Sequence, residues 1–399
     1  MTGQTPFLKP KLNRRLFVRL LGAAGAGALL PPVLTCAEEQ LVRFPEKTKL
    51  ILLTDRPPQL ETPLHYFLED ITPNDAFFVR WHLEGIPTSV DTGAFRLQIG
   101  GLVKSPLSLS VAELRNQFEA VSLIAVNQCS GNSRSFFEPR VPGGQWKNGA
   151  MGNARWTGAR LRDLLDRAGV KAGAADVSFA GLDRAPLAAT PGFAKSLAVD
   201  HAREGEVMVA YEMNGTDLPM LNGFPLRLVV PGWYATYWVK ALREINVLSS
   251  KFQGYWMDKA YRIPSTADAN EAPDHLATET VPINRLNLRS LFVRPEPGEK
   301  LSRQAPFEIQ GLAFDSGRGI ERVEVSMDDA VTWQMTQLDP ELGKFSWRRW
   351  RLRWQPATSG RYRLRVRAFN RAGDQQTARL WNRSGFMRNV VEQTEVEVL

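Results

Sequence analysis

The chain has 399 residues, two cysteines, four histidines and a formal charge of +8. That length implies two to three domains, and 43% apolar with 23% charged residues describes an ordinary globular protein, not a disordered or fibrous one. Two cysteines without a CxxC exclude a disulfide-stapled scaffold, a four-cysteine zinc site and covalent c-type haem.

The chain opens on the basic residues Lys9, Lys11, Arg14, Arg15 and Arg19, followed by a Gly- and Ala-rich apolar stretch from Leu20 to Leu34. That stretch contains Pro31 and Pro32 and falls short of the roughly 20 apolar residues a membrane span needs. Asn13-Arg14-Arg15-Leu16-Phe17 resembles a twin-arginine signal, which exports proteins already folded. Residues 1–37 are therefore expected to be an export signal, cut near Thr35-Cys36-Ala37, that sends the mature chain to the periplasm without a membrane anchor. A general secretory signal and a lipidated Cys36 are the alternatives. Removal of the signal leaves 45 basic and 42 acidic residues and a single cysteine, Cys129.

Residues 38–75 are punctuated by proline and read as irregular chain wrapping the next domain. Phe95 to Ile99 alternates and predicts a strand. Ser110-Val111-Ala112-Glu113 has capping-box spacing and predicts a short helix. Val121 to Val126 is an apolar run suited to a buried strand. Leu161, Leu164, Leu165 and Ala168 recur at helical spacing, and Gly169 suits the helix stop. Val177 to Phe179 and Leu226 to Val230 read as further strands. Residues 38–282 thus mix strands with short helices in an α+β domain. From Ile283 the pattern changes. Val323 to Met327 and Arg361 to Arg367 alternate, the latter with four arginines on one face. Residues 283–399 therefore predict an immunoglobulin-like β-sandwich. This second domain holds 20 basic and 14 acidic residues, against 25 and 28 in residues 38–282. The charge is too diffuse for a nucleic-acid domain, and the arginine ladder reads as a solvated strand face.

Three segments carry chemistry. In Val126 to Arg134, Cys129 follows a buried strand and precedes a loop of Gly, Asn and Ser with a cation five residues on. That suits a thiolate, as nucleophile or as soft ligand to a metal that a cofactor otherwise holds. A buried inert thiol is the plain alternative. In Phe77 to His82, an extended chain puts Arg80 and His82 on one face, able to grip an anion. The glycine-rich stretch 143–156 would let backbone N–H groups approach a phosphate, with Lys147 and Arg155 adding charge, but it has neither P-loop nor dinucleotide spacing and reads rather as an ordinary surface loop.

FFVRWH at 77–82, VNQCSGNSR at 126–134, NGAMGNARW at 148–156, YEMNGTDLP at 211–219, FPLRLVVPGWYATYWVK at 224–240 and WMDKAYRIP at 256–264 together resemble the sulfite oxidase family of molybdenum enzymes, with bacterial periplasmic sulfite dehydrogenases as the nearest likeness. VSMDDAVTWQMTQL at 325–338 resembles that family's immunoglobulin-like domain, which serves self-association in some members. The resemblance implies a mixed-sheet molybdopterin-binding domain and oxidation of sulfite to sulfate at molybdenum. It makes Cys129 the thiolate ligand of the metal and places Arg80, Arg134 and Tyr261 in the anion pocket. His82 lies at the cofactor side of that pocket, which Arg80 also borders. Asp183, Arg227 and Lys240 match positions that hold the pterin and its phosphate. The chain departs from the animal enzymes at Asn222, where they have histidine, and it has no counterpart of their haem domain. No haem is therefore expected in this chain, and electrons would pass to a c-type cytochrome, as a subunit or a soluble acceptor. The alternatives are a molybdenum reductase of the same fold, acting on nitrate or a sulfoxide, and a non-catalytic exported binding protein.

Overall fold

The computed structural model describes residues 41–399, so the expected export signal at 1–37 lies outside the described residues. The central sheet runs Thr216–Asp217, Met208–Met213, Met151–Arg160, Ala120–Gln128, all antiparallel, with Arg227–Val229 added on Met208–Met213. The apolar run beginning at Val121 becomes the strand Ala120–Gln128, which is buried from Ile124 onward. Burial of this end carries the polar Asn127 and Gln128 inward and delivers Cys129 to the interior.

A second sheet runs Ala194–Ala198, Asp176–Gly181, Leu242–Leu248, Leu97–Gly101, Leu107–Leu109. Its Leu242–Leu248 and Leu97–Gly101 strands are parallel, so the sheet is mixed. The helix Leu161–Ala168 buries Leu161, Leu164, Leu165 and Ala168, and Gly169 ends it at φ 71°. That left-handed conformation suits glycine, which has no Cβ to clash. The helix Val111–Gln117 opens on the expected box: Glu113 N donates to Ser110 Oγ at 3.1 Å, and Ser110 N to Glu113 Oε2 at 2.8 Å.

Two expectations are corrected. Residues 38–75 are not simply irregular: Leu41–Arg43, Lys49–Thr54 and Gln59–Glu61 form a four-stranded sheet with Val79–Arg80. Leu50, Leu60, Val79 and Trp81 bury a small core of their own there. The strands are too short and too interrupted by proline for their alternation to stand out. Nor is 143–156 a surface loop. Trp146, Ala150 and Met151 are buried, and Met151–Arg160 is the longest strand of the central sheet.

The remainder forms the expected sandwich. One sheet runs Arg289–Arg294, Phe307–Phe314, Arg348–Trp354, Gln337–Leu338, the other Lys300–Leu301, Glu392–Val398, Gly360–Asn370, Ile320–Ser326, Gln334–Met335. Ile309, Val325, Trp350, Leu364 and Val396 fill the space between them. The arginine ladder is a paired surface: Arg363 meets Glu395 at 2.9 Å, Arg365 meets Asp329 at 2.5 Å and Arg367 meets Glu324 at 2.7 Å. The sandwich shares its inner edge with the first domain. Leu291, Leu312, Phe345, Trp347 and Phe386 belong to the core that also holds Val126 and Trp156, and Val126 N donates to Phe345 O at 2.9 Å.

Candidate active site

Cys129 is 7% exposed and unpaired. Its N–H donates to Ala150 O at 2.9 Å, and its carbonyl accepts from Asn132 N at 3.0 Å. Asn132 Oδ1 in turn accepts from Ala150 N at 3.0 Å. These bonds turn the chain just after the central strand. Ser133 then adopts φ 69°, which aims Arg134 back along the same loop.

The thiol faces two adjoining cavities that share Arg80, Cys129 and Tyr261. The inner one also meets His82, Asn222, Arg227 and Lys240, and its side chains close it down to about 20 Å³. The outer one is about 690 Å³ and adds Arg134, Trp146, Trp256, Arg262 and Phe386. Among the described residues, no carboxylate lines either cavity. The structure thus brings together Arg80, His82, Cys129, Arg134, Arg227, Lys240 and Tyr261. Asp183 does not line either cavity. It sits near Lys240, whose charge partly offsets the burial that raises the Asp183 carboxyl.

The inner cations are held by neutral acceptors. Lys240 Nζ donates to Arg80 O at 2.7 Å. Arg227 donates to Asn222 O at 2.8 Å and to Asn127 Oδ1 at 3.1 Å. Burial, reinforced by Arg227, pushes the Lys240 ammonium down to about 7, and burial pushes Arg227 down to about 9. Uncompensated positive charge in a dry pocket is costly until an anion enters. His82 Nε2 and Tyr261 Oη are 2.5 Å apart. Burial, then Arg80, drives the imidazole well below its ordinary value, and burial raises the phenol. Both groups are therefore neutral near pH 7, with one proton in the bond between them. Tyr261 itself has φ 56°, a left-handed backbone that costs a residue with a Cβ of order 1 kcal/mol and recurs at functional sites.

Two buried lysines escaped the sequence reading. Lys47 Nζ donates to Asn74 O at 2.6 Å, to Phe77 O at 3.1 Å and to Asn222 Oδ1. Asn222 Nδ2 then donates to Phe78 O at 3.1 Å, so this position is a fixed part of the inner wall. Lys195 Nζ donates to Trp256 O at 2.7 Å and lies 4.5 Å from the Tyr237 ring centre and 5.3 Å from that of Tyr261. A lysine inside the strand Ala-Lys-Ser-Leu-Ala, among small and apolar residues, is the sequence signal that finds it.

The donor set fits a molybdopterin. Among the described residues, no cluster of three or more His, Cys, Asp or Glu can hold a metal, so a metal at Cys129 needs ligands from a non-protein group. Asn127 Nδ2, Ser130 Oγ and Arg227 Nε are buried without a partner. Together with the free cations they suit an anionic, polar ring system carrying a phosphate.

A family model described as an oxidoreductase molybdopterin binding domain matches residues 83–256, and one described as a Mo-co oxidoreductase dimerisation domain matches 280–398. Chicken sulfite oxidase is 34% identical over 77% of this chain and 68% of its own length. The chain belongs to the sulfite oxidase family. Human mitochondrial sulfite oxidase is 35% identical over 86% of this chain. The chain spans about 65% of the length of the mammalian sulfite oxidases it matches. A barley nitrate reductase is 33% identical over 88% of this chain and 42% of its own length. The sulfane dehydrogenase SoxCD of Paracoccus pantotrophus has the same fold, with a TM-score of 0.73 at 23% identity over 96% of each chain. Arg80, His82 and Tyr261 lie just outside the first matched segment.

Proposed function

We propose that this chain is a periplasmic sulfite dehydrogenase, oxidising sulfite to sulfate at a molybdopterin-bound molybdenum and passing electrons to a c-type cytochrome. The observation that carries this reading is Cys129, a lone buried thiol opening on a cavity lined by arginines and free of carboxylates among the described residues. The cofactor, when bound, supplies the two-electron redox chemistry. Cys129 provides a soft thiolate ligand to the metal. Arg227 and Lys240 hold the pterin and its phosphate, with Asp183 beside Lys240.

Arg80 and Arg134 attract the sulfite dianion and orient it by charge-assisted hydrogen bonds. Trp146, Trp256 and Phe386 line the same cavity, and their low polarity strengthens that attraction. Tyr261 keeps its proton near neutral pH because burial raises the phenol, so it enters as a hydrogen-bond donor. His82 stays uncharged and shares a hydrogen bond with the phenol across 2.5 Å. The pair thereby orients the phenol without adding another cation beside the arginines.

Reduction of nitrate is the second reading, favoured by the barley relative. Metal and pterin analysis of the purified protein tests the cofactor. Sulfite-driven reduction of cytochrome c, compared with dye-driven reduction of nitrate and of sulfoxides, tests the substrate. Cys129→Ser replaces a soft ligand by a hard one, so sulfite oxidation should vanish while circular dichroism stays that of the parent. Near-normal turnover by this variant would remove Cys129 as the metal ligand.

A further inference from the structure

We infer that Gly385 and Phe386, between the strands Gly360–Asn370 and Glu392–Val398, are positioning residues that fix Arg134 and Tyr261 relative to each other. The inference rests on the reading of Arg134 as an oxyanion-binding group.

Three glycines from three segments surround the Arg134 side chain. A Cβ on Gly131 would stand 2.7 Å from Arg134 Cζ, one on Gly143 2.7 Å from Nη1 and one on Gly385 2.9 Å from Nε. At Gly131 and Gly143 the guanidinium is the nearest group and would be displaced, and at Gly385 the added Cβ would meet Val141 Cγ2 as well as Arg134. Gly143 and Gly385 also adopt φ 114° and 58°, which disfavour a side chain. The carbonyls finish the cradle. Arg134 Nε and Nη2 donate to Ser384 O at 3.3 and 3.1 Å, and Nη1 donates to Gly144 O at 3.1 Å.

Phe386 joins the two halves of the pocket. Arg134 Cζ lies 5.0 Å from the centre of its ring. The Tyr261 ring stacks on it at 5.5 Å with an interplanar angle of 5°. A single aromatic ring therefore sets where a guanidinium and a phenol sit. The loop that carries it is tied down. Ser384 Oγ donates to Arg262 O at 2.8 Å, next to Tyr261. Asn382 Nδ2 donates to Ala269 O at 3.1 Å, and Phe386 N donates to Asn382 Oδ1 at 3.1 Å. Arg383 is paired with Glu271 at 2.6 Å.

The test uses the full chain as isolated and reads sulfate binding by calorimetry alongside sulfite kinetics. Phe386→Leu keeps most of the volume and removes the π face. It should weaken sulfate binding by about fivefold, as expected for loss of a partly desolvated cation–π contact. The KM for sulfite should rise in proportion, with molybdenum content and Tm as in the parent. Phe386→Tyr, which restores the ring, should restore both values. Gly385→Ala should weaken sulfate binding further. Parental sulfate affinity and KM in Phe386→Leu would overturn the inference, as would an affinity loss that tracks only a fall in Tm. Absence of sulfate binding by the parent protein would overturn it too. Sulfate binding by the parent without sulfite oxidation would instead leave the cradle standing and remove the substrate assignment.

Discussion

At the scale of single residues, the site gathers positive charges on a lining free of carboxylates among the described residues. Arg80 borders both cavities, and loss of one charge-assisted bond costs about 1.5–3 kcal/mol. Arg80→Gln should therefore raise the KM for sulfite by about tenfold or more, and an unchanged KM in steady-state assays would take Arg80 out of the pocket. Its residues were legible in unequal measure. Cys129, Arg134, Arg80 and His82 stood in short polar or charged interruptions of apolar sequence, and such interruptions are visible along the chain. Lys47 and Phe386 were not, because nothing local marks them, and Lys195 offered only the faint signal of one charge inside a strand of small and apolar residues. Their roles arise from contacts made by distant segments. Phe386 meets Arg134 and Tyr261, far away in sequence from both.

At the scale of elements, the strand Ala194–Ala198 shows what burial does to a charge. Lys195 is its second residue, fully buried, and burial lowers its ammonium from 10.5 to about 7 against the opposing pull of Asp258. His82 lies within its field on the other side. Between these two pH values the unfolded chain binds a proton that the folded chain does not. Stability from this group is therefore complete above pH 10.5, and it is lost as pH falls towards about 7. Urea unfolding at a series of pH values should show the parent gaining stability with pH relative to Lys195→Met. The difference in slope should approach 1.4 kcal/mol per pH unit, the worth of about one proton. Equal slopes would mean that Lys195 titrates normally. Elements with a clear period, such as the helix Leu161–Ala168 and the strand Gly360–Asn370, were readable from sequence because each buries one regular face. The strands before residue 62 were not, since segments of a few residues between prolines carry too little pattern.

At the scale of the molecule, a buried ion pair of the sandwich reaches into the first domain. Arg289, on the first strand of the sandwich, is 1% exposed. Its Nη2 donates to Glu392 at 2.8 Å, to Ser133 Oγ at 2.6 Å and to Asn148 Oδ1 at 2.9 Å. Arg388 also meets Glu392, at 3.0 Å. The sandwich thus grips Ser133, whose left-handed backbone aims Arg134. Arg289→Met should destabilise the protein by about 3 kcal/mol, as does loss of one member of a buried pair, and should raise the sulfite KM as Ser133 relaxes. Urea unfolding and steady-state kinetics check both effects, and parental values in each would confine Arg289 to the domain boundary. The sequence placed a boundary near Ile283 by its change of pattern, but the interlock behind it depends on side chains more than a hundred residues apart. The carboxylate-free lining has one last consequence for a sulfite-oxidising chain. Substrate and product are both small dianions, and a wall of arginines attracts each by the same force. Charge that would draw sulfite in would equally retain sulfate, and dissolved salt would weaken both attractions.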